Sequence, residues 1–464
     1  MSSIDLTARL RNFAPYLPSI QPSSAERFVK DSSKWRASPL PAGLRPDDFD
    51  YLQANNRYWS YLCGLASAEA FRGSKDNSIA YRDSNTDVLG DSGGFSYGSG
   101  SGEPGQWRGL TCEAEVVAAW RNSGILEKTV DWIERYASAG LTLDLPLWAA
   151  RPVNSESPFH LCSAMTLLAL SMEHVQYLLD RKSAGRLKRK YLNVLQGDKE
   201  ADEEVWYQQA RQYRLDGWSF AGGVGTDGGP YRIIRRLLTL RDDGLLGSGL
   251  NWVHLLKQTQ LRWAPVLTAM QRGIQRSIGA EDFKITYDSS TPYQEAGKRE
   301  RFVEAPALGP SLVGWHFKYH KFPTTFGVAT AAVPLSLATA TCTAQKCTMC
   351  QSQGSHLDAP LLSPIAQLLT IQDLLERKGN LITRRGSVLA DEVLINHNVF
   401  TVVEGIIRAN EAVFSATPNA PQELIDAAGM VADICNRQSW HTTLTYHRTF
   451  LEKAVAYRPS KNVL

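Results

Sequence analysis

Between about residues 85 and 290 short β-rich runs alternate with longer stretches whose apolar positions recur at helical spacing. The runs Asp87–Leu89, Leu141–Leu143, Tyr191–Leu195, Gly217–Phe220, Trp252–Leu256 and Phe283–Tyr287 predict strands. The amphipathic stretches Glu113–Tyr136, Ala164–Arg181 and Pro230–Leu240 predict helices between them. Such alternation predicts a parallel sheet, because parallel neighbours need a crossover long enough to hold a helix. A polar residue or a glycine pair closes one strand after another: Asp91, Asp144, Gln196, Gly222-Gly223 and Asp288. In a (β/α)8 barrel these endings meet at one mouth, whereas a doubly wound sheet spreads them along an edge crevice. The expected fold is therefore α/β, a TIM barrel spanning residues 81–335.

The flanking regions break this rhythm. Residues 1–80 carry Pro15, Pro18, Pro22, Pro39 and Pro41, with helical spacing only from Phe49 to about Ala70, and predict an N-terminal extension packed on the barrel. Ala329–Thr341 predicts a last strand, and residues 336–405 an inserted subdomain. A long helical region, Ala390–Phe414, precedes a terminal helix from about Pro421 to Ala456, so residues 406–464 are expected to pack as helices on the barrel exterior. No repeat of fixed period is visible.

Composition narrows the picture only modestly. The chain has 464 residues, 43% hydrophobic and 21% charged, an ordinary globular balance. A formal net charge of +3 excludes a globally basic nucleic-acid binder while leaving room for a local basic patch. The most apolar stretch, Phe326 to Thr341, is interrupted by Pro334, and no membrane span is expected. The start shows no secretory pattern and seven Cys is an odd count, so a reducing, cytoplasmic location is expected. The basic run from Arg181 to Lys190 directly precedes a strand, which puts it at the end of the barrel opposite the mouth. Arg232, Lys298, Arg299 and Arg301 follow strands and are the better candidates for phosphate contacts.

Three motifs suggest chemistry. Cys342-x4-Cys347-x2-Cys350 brings three thiolates within reach of one ion, and tetrahedral zinc would take a fourth ligand downstream, from His397 or His356. The glycine string from Gly222 to Gly229 contains G-x-G-x-x-G between a strand and a helix, with Asp242 and Asp243 beyond it. That is compatible with a dinucleotide-dependent oxidoreductase, or with a tight turn whose bare backbone can approach a flat ligand. Lastly, Asp91, Asp144 and Asp288 would converge at the barrel mouth, and converging carboxylates suit acid–base work or nucleophilic attack at a sugar carbon. The glycine-rich segment Gly98–Gly109 is a candidate lid.

Taken as a set, these motifs resemble the tRNA-guanine transglycosylase family over about residues 85 to 410. Asp91-Ser92-Gly93-Gly94-Phe95 resembles its base-binding motif, Val194-Leu195-Gln196-Gly197 its second base-contacting segment, and Gly217–Gly223 its Gly-Gly strand end. Asp144 is similar to a further base-reading Asp, Asp288 to the covalent nucleophile, and the Cys triplet with His397-Asn398 to the zinc site. The resemblance implies Asp288 as nucleophile and Asp91 as general acid and base. It also implies a base pocket of Ser92, Gly93, Gly94, Phe95, Asp144, Gln196, Gly197, Gly222 and Gly223. The implied cofactor is a structural zinc on Cys342, Cys347, Cys350 and His397.

Several residues depart from the family pattern. Ser96 stands where Gln is usual, four residues separate Cys342 from Cys347, and the stretch from the cysteines to His397 is long. Ser289-Ser290-Thr291-Pro292 follows Asp288 in place of the Pro-Thr-Arg segment associated with tRNA recognition. These departures resemble the branch acting on DNA, the DNA-guanine transglycosylases. The expected activity is exchange of guanine in DNA for a free 7-deazaguanine base, with accessory DNA-opening proteins as candidate partners. A tRNA-acting enzyme and a non-catalytic partner subunit of such an enzyme are the alternatives.

Overall fold

The structure is a computed structural model that describes residues 3–29, 35, 40–74, 76–100, 109–154, 157–222, 228–322, 325–327, 334–336, 359–378, 381–384 and 388–456. Eight parallel strands form its centre: β1 (Tyr16–Pro18), β2 (Cys63–Ser67), β3 (Asp87–Asp91), β4 (Ala139–Leu141), β5 (Lys190–Leu195), β6 (Gly217–Phe220), β7 (Trp252–Leu255) and β8 (Lys284–Ser289). From β2 onward each pairs with its neighbour in sequence, and β8 pairs with β1 through Tyr287–Tyr16, Asp288–Leu17 and Ser289–Pro18. Between β1 and β2 there is a bridge at Ser19 and Leu65, with the Ile20 N–H donating to the Leu65 carbonyl at 2.8 Å. The sheet is thus nearly closed into a barrel of the TIM type.

Side-chain alternation explains how the barrel fills. Leu17, Leu65, Leu89, Leu141, Leu192, Val194 and Trp252 point inward and pack on one another. The alternate positions, including Tyr191, Trp218, Val253, Ile285 and Tyr287, pack outward against helices. Those helices are α1 (Glu113–Arg121) and α2 (Ile125–Tyr136) after β3, α3 (Ala164–Ser183) after β4, and α4 (Glu200–Ala210) after β5. They continue with α5 (Gly229–Asp242) after β6, α6 (Trp263–Ile278) after β7 and α7 (Thr291–Gly297) after β8.

Residues 1–80 depart from the expected extension, because they supply both β1 and β2. The prolines at 15 and 18 made β1 read as loop, yet a three-residue strand tolerates them at its margins. The helical spacing from Phe49 to Ala70 is likewise overridden: Pro46–Phe49 is a 3-10 turn, β2 occupies Cys63–Ser67, and only Ala68–Phe71 is helical. Sheet closure demanded a strand there.

Beyond the barrel, β9 (Arg301–Glu304) and β10 (Lys318–Lys321) form an antiparallel hairpin. A second antiparallel sheet consists of β11 (Thr325–Gly327), β12 (Leu375–Lys378) and β13 (Leu381–Arg384). Most of Ala329–Thr341, expected as a strand, lies outside the described residues. The 27-residue helix α8 (Val388–Phe414) crosses the subdomain boundary expected at residue 405, and its buried face packs against α7, β9 and α6. The expected terminal helix is two: α9 (Gln422–Asn436), packed on α6, and α10 (His441–Val455), packed on α5. Among the described residues, no helix is long and apolar enough to cross a membrane.

Candidate active site at the barrel mouth

Asp91, Asp144, Gln196, Gly222 and Asp288 all end or follow strands at the same mouth. On the β8–β1 side, Asp288 is buried and well supplied with donors. The Ser19 hydroxyl donates to its Oδ2 at 2.7 Å, the Lys257 backbone N–H donates to Oδ1 at 3.1 Å, and His254 Nε2 lies 3.4 Å from Oδ1. Its carbonyl accepts the Gln258 N–H at 2.6 Å, so main chain and side chain are both tied to the turn after β7. Lys257 takes a positive φ of 67° there, a conformation uncommon for a residue with a side chain.

The β3–β4–β5 side is built differently. Gly93 sits at φ 83°, turning the chain after Asp91 into a short helix, Gly94–Gly98. A Cβ on Gly94 would fall 2.1 Å from the Asp144 carbonyl oxygen, so a side chain there would push the two loops apart. Burial first, and the Asp288 charge second, push the Asp91 carboxyl up to about 6, against the Gly93 and Ser92 N–H groups and the Lys257 charge. Burial and then Asp91 push Asp144 up to about 7. Gln196 spends its amide on this segment: Nε2 donates to Asp144 Oδ2 at 2.7 Å and to the Leu145 carbonyl at 3.1 Å, while Oε1 accepts from Leu147 N–H at 2.9 Å. Gln196 therefore positions Asp144. Behind it, His174 Nε2 accepts from Trp120 Nε1 at 2.9 Å, and Nδ1 donates to the Leu143 carbonyl at 2.7 Å.

Of the other expected site residues, Ser92 and Phe95 lie on the loop after β3 and Gly222 on the loop after β6. Phe95 is 58% exposed and lies 5.2 Å from the Trp148 ring. Lys257 Nζ stands 4.3 Å from the Phe95 ring centroid, a cation–π arrangement at the opening. Ser92 is fully buried, and its hydroxyl makes no hydrogen bond among the described residues. Gly222 lies beside the Gly197 backbone and the Asp198 carboxylate. Gly223 and the residues 101–108 of the candidate lid are outside the described residues.

Arg232, expected near phosphates, is instead buried. Its guanidinium pairs with Glu203 at 2.8 Å and donates to the Asp198 and Gly197 carbonyls at 3.0 and 3.4 Å. It braces the loop after Gln196. Arg299 and Arg301 are about half exposed and pair with Glu295. The basic run lies at the opposite end of the barrel, where Arg181 faces Asp131 and Lys182 faces Asp216.

Cys342, Cys347, Cys350 and His356 lie outside the described residues. His397 is buried on α8, and burial lowers its ring to about 4, keeping it neutral. Its Nε2 is 2.8 Å from the Val303 carbonyl, and its Nδ1 has only long approaches, 3.4 Å from Ser363 N and 3.5 Å from Thr401 Oγ1. A metal-ligating imidazole characteristically donates its other N–H to a backbone carbonyl, as Nε2 does here, but a metal on Nδ1 would have to displace the Ser363 N–H that this nitrogen accepts. Asn398 ties β9 to the start of α7, accepting from Val303 N–H at 2.9 Å and donating to the Arg301 and Pro292 carbonyls. Of the remaining cysteines, Cys162 and Cys435 are buried and Cys63 is partly buried. Cys112 is exposed.

Ser19, His254 and Lys257 were not anticipated from the sequence. Ser19 directly follows β1, whose strand character no local sequence window carries. For His254 a signal existed, since Trp252, His254 and Leu256 share the inward phase of a strand that ends at the mouth. No protein-family model matches this chain, and no curated protein matches it.

Proposed function

We propose that this chain is a transglycosylase that exchanges guanine in DNA for a 7-deazaguanine base through a covalent glycosyl–enzyme intermediate. The observation that carries this reading is the contrast between Asp288, held by donors on both oxygens, and Asp91 beside it, raised to about 6. One carboxylate ready to attack and one poised to give up a proton near neutrality are the two groups a retaining displacement at C1′ requires.

In the first half, Asp288 attacks C1′ and the C1′–N9 bond breaks. Its electron pair leaves with guanine, which takes a proton from Asp91. Esterification cancels the Asp288 charge, one of the two causes that raised Asp91. Asp91 then rests more comfortably as a carboxylate, ready to take the N9 proton of the incoming base. That nitrogen bonds to C1′, and the C1′–ester bond breaks with its pair returning to Asp288. Phe95 and Trp148 offer the flat base an aromatic face, and Asp144, set by Gln196, reads its edge. A target within a duplex must be flipped out, costing a few kcal/mol that contacts to the DNA offset. Zinc, held by Cys342, Cys347, Cys350 and His397, has a structural role in this reading and takes no part in the exchange.

Labelled 7-deazaguanine base offered side by side with duplex DNA and tRNA tests the assignment. Incorporation into DNA alone is expected; incorporation into tRNA alone would replace DNA by tRNA, and incorporation into neither would refute base exchange. Denaturing gels should show a DNA–protein adduct with the wild type and none with Asp288→Ala. Metal analysis should give about one zinc per chain, and loss of it in Cys347→Ser.

A further inference from the structure

We propose that His254 is a positioning residue for Asp288, donating from Nε2 to Oδ1 and so making Oδ2 the attacking oxygen and the carboxylate a better leaving group. This rests on the reading of Asp288 as nucleophile. A buried chain of three side chains inside the barrel carries it. Trp252 Nε1 lies 2.8 Å from Thr286 Oγ1, and an indole nitrogen can only donate. Thr286 Oγ1, so engaged as acceptor, lies 2.9 Å from His254 Nδ1 and has its own proton to give. Nδ1 is the acceptor within reach of that proton, an arrangement that leaves Nε2 as the protonated nitrogen facing the carboxylate. That nitrogen is completely buried, makes no hydrogen bond among the described residues, and has Asp288 Oδ1 in front of it at 3.4 Å, so a small approach of the two would close the contact.

The donors are divided unequally between the carboxylate oxygens. Oδ1 faces the Lys257 N–H and His254, while Oδ2 has the Ser19 hydroxyl, which can swing away. Oδ2 is then the oxygen that bonds to C1′, and Oδ1 becomes the ester carbonyl. When the incoming base displaces the ester, the negative charge returns to the carboxylate and the Nε2–H stabilises it. A donor that lowers carboxylate basicity slightly weakens attack and favours departure. Losing it should therefore slow the second displacement more than the first.

The test follows adduct formation and its breakdown separately in the full-length chain, using target DNA and then added base. His254→Leu should leave adduct formation within a few-fold of wild type, slow its resolution by about 10- to 100-fold, and so raise the steady-state adduct. His254→Gln, whose Nε2 reaches the same place, should restore much of the resolution rate. Equal slowing of both steps, or no rescue by Gln, would overturn the proposal. A readout independent of activity and of the variant's folding is the 15N spectrum of histidine-labelled wild type. There the His254 signal should report a proton on Nε2, and a proton on Nδ1 would overturn the assignment. An adduct that still formed in Asp288→Ala would instead overturn the reading of the nucleophile, so the two failures are distinguishable.

Discussion

The two sides of the barrel mouth carry the same functional group in opposite circumstances. On the β8–β1 side the Asp288 carboxylate meets a hydroxyl, a backbone N–H and an imidazole, all able to stabilise its charge. On the β3–β4 side Asp91 and Asp144 are pushed upward by burial and by a neighbouring carboxylate, to about 6 and about 7. Burial and a neighbouring carboxylate disfavour charge on Asp91 and Asp144, whereas the Asp288 oxygens face donors. Identical residues thereby acquire different roles from their surroundings alone.

The sharpest way to break this contrast is Asp91→Asn, which removes the proposed proton donor while leaving Asp288, the proposed nucleophile, and its donors in place. Base exchange with a natural guanine target should fall by about 10²–10⁴-fold, measured by incorporation of labelled base. A target bearing a leaving base that needs no proton should form the adduct with a much smaller loss. Equal loss on both targets would remove Asp91 from the acid role.

A second test reverses the coupling. In Asp288→Asn the charge that helps to raise Asp91 is gone, so the Asp91 carboxyl should titrate below about 6. NMR titration of the labelled carboxyl would show it, and an unchanged midpoint would mean that burial alone sets Asp91. Phe95→Ala should next weaken use of the free base by about 10-fold, seen as a higher KM in the second displacement with adduct formation on DNA less affected.

The smallest effect is on stability. A carboxyl raised on folding binds its proton more tightly in the native state, so its ionisation costs stability as pH rises from about 4 to about 7 for Asp144. Below the unfolded-state value the cost is absent, and above about 7 it is complete. Asp144→Asn should therefore raise the unfolding midpoint by about 2–5 °C at pH 8 and by much less at pH 4, at the expense of base selection. An equal shift at both pH values would contradict the assigned environment.

Much of the barrel was legible from local pattern. Six of the eight strands fall within one or two residues of their expected positions, because inward and outward faces are both buried and the runs are apolar, bounded and separated by helical spacing. β1 and β2 were not legible. Their strand character comes from closing the sheet between Ser289 and Leu65, a requirement no local window contains. The expected divisions at residues 80 and 405 suffered for the same reason, since pairing and helix packing ignore them.

The sequence by itself determined which chemistry the mouth could hold: aspartates at strand ends, glycines that let loops approach, and a ring free to stack. Tertiary structure decided how that chemistry is shared. Ser19 reaches Asp288 across 269 positions of sequence and His254 across 34, and Gln196 braces Asp144. A carboxylate's proton affinity depends on the donors and charges within a few ångströms of it, and only folding brings those together.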